Sequence, residues 1–226
     1  MLIEEGDRKM NGNNMVKKQV DATHYEWGKY LKKSKWESYF CQINEIVKCK
    51  SKRILVIGKG DGIVPAILIN MGMDVVTFDY DETLHPDIVG DVKEIDRYLK
   101  KGEFDTLLCC EVLEHIEFTY FEMIIKKFSD LEIRNIVLSL PNYSKQCCFD
   151  IKIRIGNLFN LRKRLINYKK IGHTVWCKDE HYWEVNVVGT ELYKIQTILM
   201  KWYMIQKMYY VFENEYHIFF VLRGKY

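Results

Sequence analysis

The stretch RILVIGKGDGIVP, residues 53–65, places three glycines at alternate positions between an apolar run and a segment with helical spacing. Glycine tolerates a positive φ and has no side chain, so it lets a second molecule approach the main chain. The N–H groups that begin a helix beside such a turn are suited to binding a polar ligand. The stretch therefore predicts a buried strand, a ligand-binding turn at 58–62 and a helix from residue 63.

Apolar strands and helical segments continue to alternate up to residue 141. The pattern predicts strands near 53–58, 74–81, 87–92, 104–110 and 134–140, with helices over 63–72, 92–101 and 118–128. Such alternation is typical of a parallel sheet covered on both faces. A later helix over 189–201 and two strands near 205–212 and 216–222, joined by the turn ENE, predict a final antiparallel hairpin. We therefore expect an α/β, doubly wound sheet that ends with a reversed strand.

Length and composition limit the class of protein. A chain of 226 residues with 48% hydrophobic residues can bury one substantial core, and its seven cysteines include no CxxC pair typical of a zinc site. The net charge of +3 is too small to indicate nucleic-acid binding by itself. We expect a cytoplasmic protein with a disordered lead-in over 1–20 and a single domain over 21–226, which includes a helical cap at 21–50 and an insertion at 143–188.

The spacing of the glycines narrows the choice of ligand. A nucleoside triphosphate site would need GxxxxGK followed by Ser or Thr, which is absent after this strand. A dinucleotide fold would place its third glycine where Ile63 stands. Asp79 ends the second strand, seventeen residues after Gly62, so its carboxylate is expected beside the glycine turn. An acid there can accept two hydrogen bonds from ribose hydroxyls, which predicts a nucleoside ligand.

Five successive segments, VIGKGDG, VVTFDYD, PDIVGDV, FDTLLCCEVLEHI and NIVLSLPN, resemble in order and spacing the motifs of class I S-adenosylmethionine-dependent methyltransferases. The resemblance covers about residues 53–142. It implies a Rossmann-like seven-stranded sheet with the order 3-2-1-4-5-7-6 and an antiparallel last strand. It also implies methyltransferase activity with S-adenosyl-L-methionine as the cofactor.

The resemblance assigns each part of the cofactor to a motif. The glycine turn would face the amino acid portion, the end of the second strand would hold the ribose and adenine, the GDV turn would meet the adenine edge, and the end of the fourth strand would border the methionine. The residues implied are Gly58, Lys59, Gly60, Gly62, Asp79, Tyr80, Asp91, Val92, Cys110 and Glu111. One position departs from the family pattern, because Val56 stands where an acid usually helps to fix the cofactor's ammonium group.

Three residues are candidates for catalysis: His115, Glu111 and His181. A base is needed only if the acceptor must lose a proton, as a hydroxyl does, and an imidazole can take that proton near neutral pH. His115 lies just after the fourth strand and is the leading candidate, with a purely structural role as the alternative. Glu111 and His115 would share a helix face and could bind a divalent ion with Glu114 nearby. We expect no metal, because sulfonium transfer does not require one.

The segment GHTVWCKDEHYWEV, residues 172–185, concentrates aromatic, histidine and acidic residues that suit a sugar or another polyhydroxylated acceptor. In the alternative interpretation its tryptophans cover the sheet edge and His181 pairs with Glu184. The favoured function is methyl transfer to a small molecule, at a hydroxyl of a glycan or glycan precursor. The alternatives are an RNA or protein methyltransferase and a non-catalytic cofactor-binding relative.

Residues 151–170 carry seven basic residues and no acid, interleaved with apolar residues. A helix over the later half of this segment would have a basic face and an apolar face. Three interpretations remain open: an amphipathic cap, a contact for an anionic acceptor or a lipid surface, and an RNA contact. We expect an anionic or sugar-like acceptor and possible peripheral membrane contact, with nucleic acid the least favoured partner.

Overall fold

The computed structural model describes residues 32–143, 145–156, 158–169 and 181–225. The expected lead-in at 1–20 and the first part of the expected helical cap lie outside these residues. The helices are α1 (Lys33–Cys49), α2 (Ile63–Asn70), α3 (Phe121–Asp130) and α4 (Leu192–Trp202). The strands are β1 (Arg53–Ile57), β2 (Asp74–Asp79), β3 (Ile88–Val89), β4 (Thr106–Cys110), β5 (Asn135–Pro141), β6 (Lys145–Ile155), β7 (Phe159–Lys169), β8 (Tyr203–Val211) and β9 (Asn214–Gly224).

Seven of the strands form one sheet in the order β3-β2-β1-β4-β5-β9-β8. The first five are parallel, whereas β9 runs antiparallel to both β5 and β8. The strands β6 and β7 form a separate hairpin. When that hairpin is left out of the numbering, the order is the predicted 3-2-1-4-5-7-6 with a reversed final strand, so the Rossmann-like fold class is confirmed.

The sheet is covered on both faces because successive side chains of its central strands are all apolar. Ile54 and Val56 of β1 join the cluster that includes residues of α1 and α2. Leu55 and Ile57 point the other way and join the larger cluster that includes residues of α3 and α4. Alternate side chains of a strand face opposite sides of a sheet, so an uninterrupted apolar run requires a layer on each side.

The inserted segment leaves and rejoins the sheet at one place. The Asn142 N–H donates to the Tyr216 carbonyl oxygen at 2.6 Å, and Asn142 forms a parallel bridge with Val185. The Tyr143 N–H donates to the Val185 carbonyl at 2.9 Å, and the Val185 N–H donates to the Pro141 carbonyl at 2.8 Å. These bonds join the two ends of the insertion at the carboxyl end of β5.

Two expected helices are wrong. The segment expected as a helix over 92–101 is a 3-10 helix at Val92–Arg97, with a non-helical φ at Glu94. The basic segment, expected to be loop-rich with a later helix, instead lies in the hairpin, in which Lys145 pairs with Lys169 and Ile155 with Phe159. Isoleucines at 151, 153 and 155 alternate with basic residues, which is the period of a strand.

At the amino end, helix α1 forms the described part of the helical cap expected at 21–50. Among the described residues, no helix has both the length and the apolar character that crossing a membrane requires.

Candidate functional site

The glycine turn lies at the carboxyl ends of β1 and β2, and Asp79 is directed toward it. The Lys59 N–H donates to Oδ2 of Asp79 at 2.7 Å, and the Asp81 N–H donates to Oδ1 at 3.0 Å. Asp79 is buried, and this burial raises the pKa of its carboxyl, although the two backbone N–H groups act in the opposite direction. Each carboxylate oxygen has a second lone pair available for a ligand donor.

The backbone of the turn requires glycine. Gly58, Gly60 and Gly62 all have positive φ values, at 80°, 55° and 73°. A Cβ atom at Gly58 would overlap Cγ2 of Val112, which follows β4. The turn thus stays close to the segment after β4 because position 58 has no side chain.

Helix α1 contacts the turn through Asp61. The Tyr39 hydroxyl donates to Oδ2 of Asp61 at 2.6 Å, while Oδ1 accepts the Ile63 N–H at 3.1 Å. Asp61 therefore satisfies one of the free N–H groups at the start of α2 and connects that helix to α1. The Lys35 ammonium of α1 is desolvated by burial, which lowers its pKa, and the nearby Glu111, Asp61 and Glu114 oppose that shift.

The remaining residues of the expected nucleoside pocket surround the end of β2. Tyr80 is 37% exposed directly after Asp79. The Lys59 ammonium donates to the His85 carbonyl at 2.5 Å, so its side chain bridges the turn and the segment after β2. Asp91 accepts the Lys93 N–H at 2.9 Å and begins the 3-10 helix, and Val92 is buried.

Glu111 follows β4 in a left-handed conformation, with φ at 55°. Its N–H donates to the Ser139 carbonyl at 3.1 Å, and the Ser139 hydroxyl donates to its Oε1 at 2.7 Å. Nε2 of His217, on β9, lies 3.5 Å from its Oε2. Burial lowers the pKa of His217, whereas the charge of Glu111 raises it. Next to Glu111, burial raises the pKa of the Cys110 thiol.

Glu114, His115 and His181 come together beyond the end of β4. Their ligand atoms lie within 4.8 Å of one another. Glu114 is fully buried, and among the described residues neither of its carboxylate oxygens has a hydrogen-bond partner. Burial raises its pKa well above the usual value, and the charge of Glu111 adds to that shift. The three side chains offer one oxygen and two nitrogen ligands of the kind that divalent metals bind.

This arrangement differs from the shared helix face expected for Glu111 and His115. Residues 113–115 form a 3-10 turn rather than an α-helix, and Glu111 precedes it with its carboxylate directed to Ser139 and His217. The third member of the cluster comes from His181 instead.

His181 is oriented by an acid and a phenol. Its Nδ1 lies 3.0 Å from Oε1 of Glu184, which also accepts the Tyr216 hydroxyl at 2.5 Å. If Nδ1 carries the proton toward Glu184, Nε2 is left as an acceptor. The ring of His181 meets that of His115 edge to face, with centroids 4.9 Å apart.

Two bonds fix the segment that carries His181. The Tyr182 N–H donates to the Glu114 carbonyl at 2.8 Å, and Nε1 of Trp183 donates to the Ile116 carbonyl at 2.8 Å. Trp183 is buried against the rings of Phe118 and Phe121, so it belongs to the core. The other aromatic and histidine candidates of this segment, His173 and Trp176, lie outside the described residues.

Sequence reasoning missed Ser139, Tyr216 and His217. Ser139 and His217 are polar residues within otherwise apolar strands, and both are buried. Antiparallel pairing sets Pro141 opposite His217, at the edge where β4 also ends. The sequence did offer one signal, a histidine within the apolar stretch YHIFF. A polar residue in a buried strand is uncommon and therefore indicates a specific role.

These residues fit S-adenosylmethionine. The three glycines of the turn leave part of its main chain without side chains beside Asp79, whose carboxylate can accept further hydrogen bonds in addition to those from the backbone. Tyr80 presents a partly exposed ring beyond the same strand. Val56, which stands where the family usually has an acid, is packed in the core, whereas Glu111 presents a carboxylate at the carboxyl end of β4.

No protein-family model matches the sequence, and no curated protein matches it. Solved structures do share its fold. A protein from Pyrococcus horikoshii is 14% identical with a TM-score of 0.58, and the match covers 92% of this chain and 97% of that one. A 1,6-didemethyltoxoflavin-N1-methyltransferase from Burkholderia thailandensis, solved with S-adenosylhomocysteine, is 11% identical with a TM-score of 0.54, covering 83% and 79%.

A third similar structure, an S-adenosylmethionine-dependent methyltransferase from Clostridium acetobutylicum, is 12% identical with a TM-score of 0.55, and the match covers 89% of this chain and 96% of that one. At these identities the likeness establishes the fold: the chain has the Rossmann-like fold of class I S-adenosylmethionine-dependent methyltransferases.

Proposed function

We propose that the protein binds S-adenosyl-L-methionine and transfers its methyl group to a hydroxyl of a small-molecule acceptor, favouring a glycan or glycan precursor. The observation that carries this proposal is Asp79, whose two carboxylate oxygens are aligned by the N–H groups of Lys59 and Asp81 beside a turn with three glycines. Solved methyltransferases with this fold support the same choice of cofactor.

The chain's own residues position the donor. Asp79 accepts the ribose hydroxyls, Tyr80 lies along the adenine, and Asp91 with Val92 borders its edge. The turn formed by Gly58, Lys59, Gly60 and Gly62 faces the amino acid portion, together with Cys110. Glu111 takes the ammonium, the task of the acid missing at Val56, because Ser139 and His217 hold its carboxylate in place.

The bound cofactor supplies an electrophilic methyl group on a sulfonium, so most of the acceleration comes from holding donor and acceptor in line. His181 is the better placed base, because Glu184 fixes its Nδ1 and leaves Nε2 to accept the proton of the acceptor hydroxyl. His115 lies against it and helps to fix the ring. Tyr182, which is 38% exposed, offers an aromatic face to a sugar-like acceptor.

The test of cofactor binding is Asp79→Ala, measured by calorimetry with S-adenosylhomocysteine. We expect at least a tenfold loss of affinity, because two charge-assisted hydrogen bonds of about 1.5–3 kcal/mol each are removed. Asp105→Ala is the matched control, since its Oδ2 also accepts two backbone N–H groups, from Lys52 at 2.8 Å and Arg53 at 3.3 Å, at the opposite end of β1. Equal affinities in the two variants would refute the ribose assignment.

A second candidate mechanism is metal-assisted methyl transfer. The buried and unpartnered carboxylate of Glu114 favours it, together with the proximity of His115 and His181. A divalent cation there would be held by the three side chains, with His181 as a ligand rather than as the base. Two imidazoles and one carboxylate leave coordination positions for an acceptor oxygen.

Titration with Mn²⁺, followed by the electron paramagnetic resonance of the free ion, separates the two mechanisms. If the metal site exists, the wild-type protein binds one equivalent and Glu114→Gln binds at least tenfold more weakly, because the neutral amide is a poor ligand. Glu117→Gln, an exposed neighbour, serves as the control and binds as the wild type does. Absence of stoichiometric binding by the wild type would leave His181 as the base.

A further inference from the structure

We propose that the hairpin of β6 and β7 is a docking element for an anionic lipid surface. This inference is independent of methyl transfer, because it rests on side chains that lie outside the candidate site. The two strands form a sheet of their own, separate from the seven-stranded sheet. Each strand is 11 residues long, about twice the usual strand length of 5–6 residues.

The hairpin has one apolar face. Ile155 pairs with Phe159 and Ile153 with Leu161. Directly opposed residues of an antiparallel pair lie on the same face, so these four side chains form one patch. Arg154 pairs with Asn160 on the other face, which also carries Lys152.

The apolar patch is most exposed at its tip. Leu158, in the turn, is 93% exposed, Ile155 is 59% exposed and Phe159 is 47% exposed. Ile153 and Leu161 are exposed as well. Single exposed apolar residues are normal on a protein surface, but a contiguous group of five at the end of a hairpin indicates a surface that binds an apolar partner.

Charge selects the partner. Seven of the chain's 34 basic residues lie between 151 and 170, and none of its 31 acidic residues does, so the rest of the chain has a net charge of −4. Lys152, Arg154 and Lys163 are exposed. An apolar tip beside basic side chains matches the acyl boundary and the anionic headgroups of a membrane surface, which attract polybasic segments.

Two other occupants fit less well. A second copy would cover the apolar patch, and Lys163, which pairs with Ile151 on the same face, would bring like charges into that contact. Single-stranded RNA is bound by aromatic stacking platforms. Among the exposed tip residues that the structure describes, Phe159 alone is aromatic, whereas Ile155 and Leu158 are aliphatic.

The experiment is sedimentation of the full chain with vesicles of phosphatidylcholine alone or with about one third phosphatidylserine. We expect binding to the anionic vesicles and little to the neutral ones, with a steep loss as salt is raised from about 0.1 M to about 0.5 M. Leu158→Asp is expected to lower the partition coefficient at least tenfold. Met71→Asp is the control, because Met71 is 50% exposed at the end of α2, far from the hairpin in sequence.

A second pair of variants tests the charges. Lys152→Ala with Arg154→Ala should weaken binding to anionic vesicles severalfold and flatten its salt dependence, whereas Lys100→Ala with Lys101→Ala should leave both unchanged. The melting temperature of each variant is measured, and because all the altered side chains are exposed we expect it to stay near that of the wild type.

Three results would overturn the proposal. The first is wild-type protein that stays in the supernatant with anionic vesicles, and the second is Leu158→Asp binding them as tightly as Met71→Asp does. The third is evidence for a different occupant. If the wild-type protein is a dimer and Leu158→Asp is a monomer, the patch binds a second copy. If the protein retains RNA without vesicles and the charge variants do not, the hairpin binds RNA.

Discussion

Gly58 has two separate reasons to be glycine. Its φ is 80°, and a Cβ atom there would overlap Val112. Gly62 shares the first reason, with φ at 73°, but its nearest neighbour would be the flexible Lys59 side chain at 3.7 Å. A comparison of substitutions at Gly58 and Gly62 therefore distinguishes the cost of backbone strain from the cost of steric overlap within one turn.

We expect Gly62→Ala to lower the free energy of unfolding by about 1 kcal/mol, the cost of a left-handed alanine. Gly58→Ala should lower it by about 2–4 kcal/mol, because overpacking against Val112 adds about 1–3 kcal/mol. Urea denaturation of the two variants measures the difference. Equal losses would mean that Val112 moves aside at no cost and that the turn is not held against the segment after β4.

Glu111 shows what a sequence does not reveal at the scale of one residue. The resemblance to class I methyltransferases implied a role for Glu111 beside the methionine portion, but its left-handed φ of 55° is not expected of glutamate. The conformation directs the carboxylate to Ser139 and His217, both of which are far from Glu111 in the sequence. Only the register of β4, β5 and β9 brings them together, so spacing within the EVLEHI motif could not predict them.

Strand β9 contributes more residues to the candidate site than the sequence indicated. Its antiparallel register with β5 sets His217 against Glu111, and Tyr216 reaches Glu184. Other groups that act on His217 are Lys35 from α1 and His181 from the return of the insertion, both of which oppose its protonation. The reversed strand thus joins three segments that are far apart in the chain.

The lowered pKa of His217 gives a prediction for stability against pH. Between the folded-state pKa and the unfolded value of about 6.5, the unfolded chain binds more protons than the folded one, so stability falls as pH falls through this window. The free energy of unfolding of the wild-type protein should therefore fall more than that of His217→Gln as the pH is lowered from about 7.5 to about 5.5.

Denaturant titrations at several pH values measure this difference. The control is His85→Asn, because His85 is exposed and its removal should leave the slope of the wild type unchanged. Parallel curves for wild type and His217→Gln would show that His217 takes up its proton equally in the folded and unfolded states, against the burial seen here.

The architecture of the whole molecule was largely predictable, because it depends on local patterns. Continuous apolar runs predicted the parallel strands, the glycine turn predicted the start of α2, and the turn ENE predicted the reversed hairpin of β8 and β9. Each of these signals lies within one short segment. They predict a doubly wound sheet with a reversed final strand, whereas the strand order itself was implied by the resemblance to class I methyltransferases.

The insertion was predicted wrongly, because its signal is mixed. Residues 151–155 alternate apolar and basic side chains as a strand does, whereas the later half includes three consecutive basic residues, 162–164, that fit a helix equally well. Pairing between the two halves decides for the hairpin, and that pairing is not a local property. The candidate site divides in the same way: its motif residues were named from short segments and their roles stay predictions, whereas their partners on β5 and β9 were not named.

The joined ends of the insertion at Asn142 and Val185 make it a module. Because its entry and exit meet at a single point, we expect the hairpin at 145–169 to tolerate changes of length or sequence while the sheet keeps its strand order, provided that Trp183 stays packed in the core. The glycine turn and Asp79 lie on the first two strands, away from that point, whereas Glu111 is held by Ser139 and His217 beside it. We therefore expect that a graft of residues 145–169 onto another scaffold of the same architecture would leave the host's own nucleoside pocket untouched.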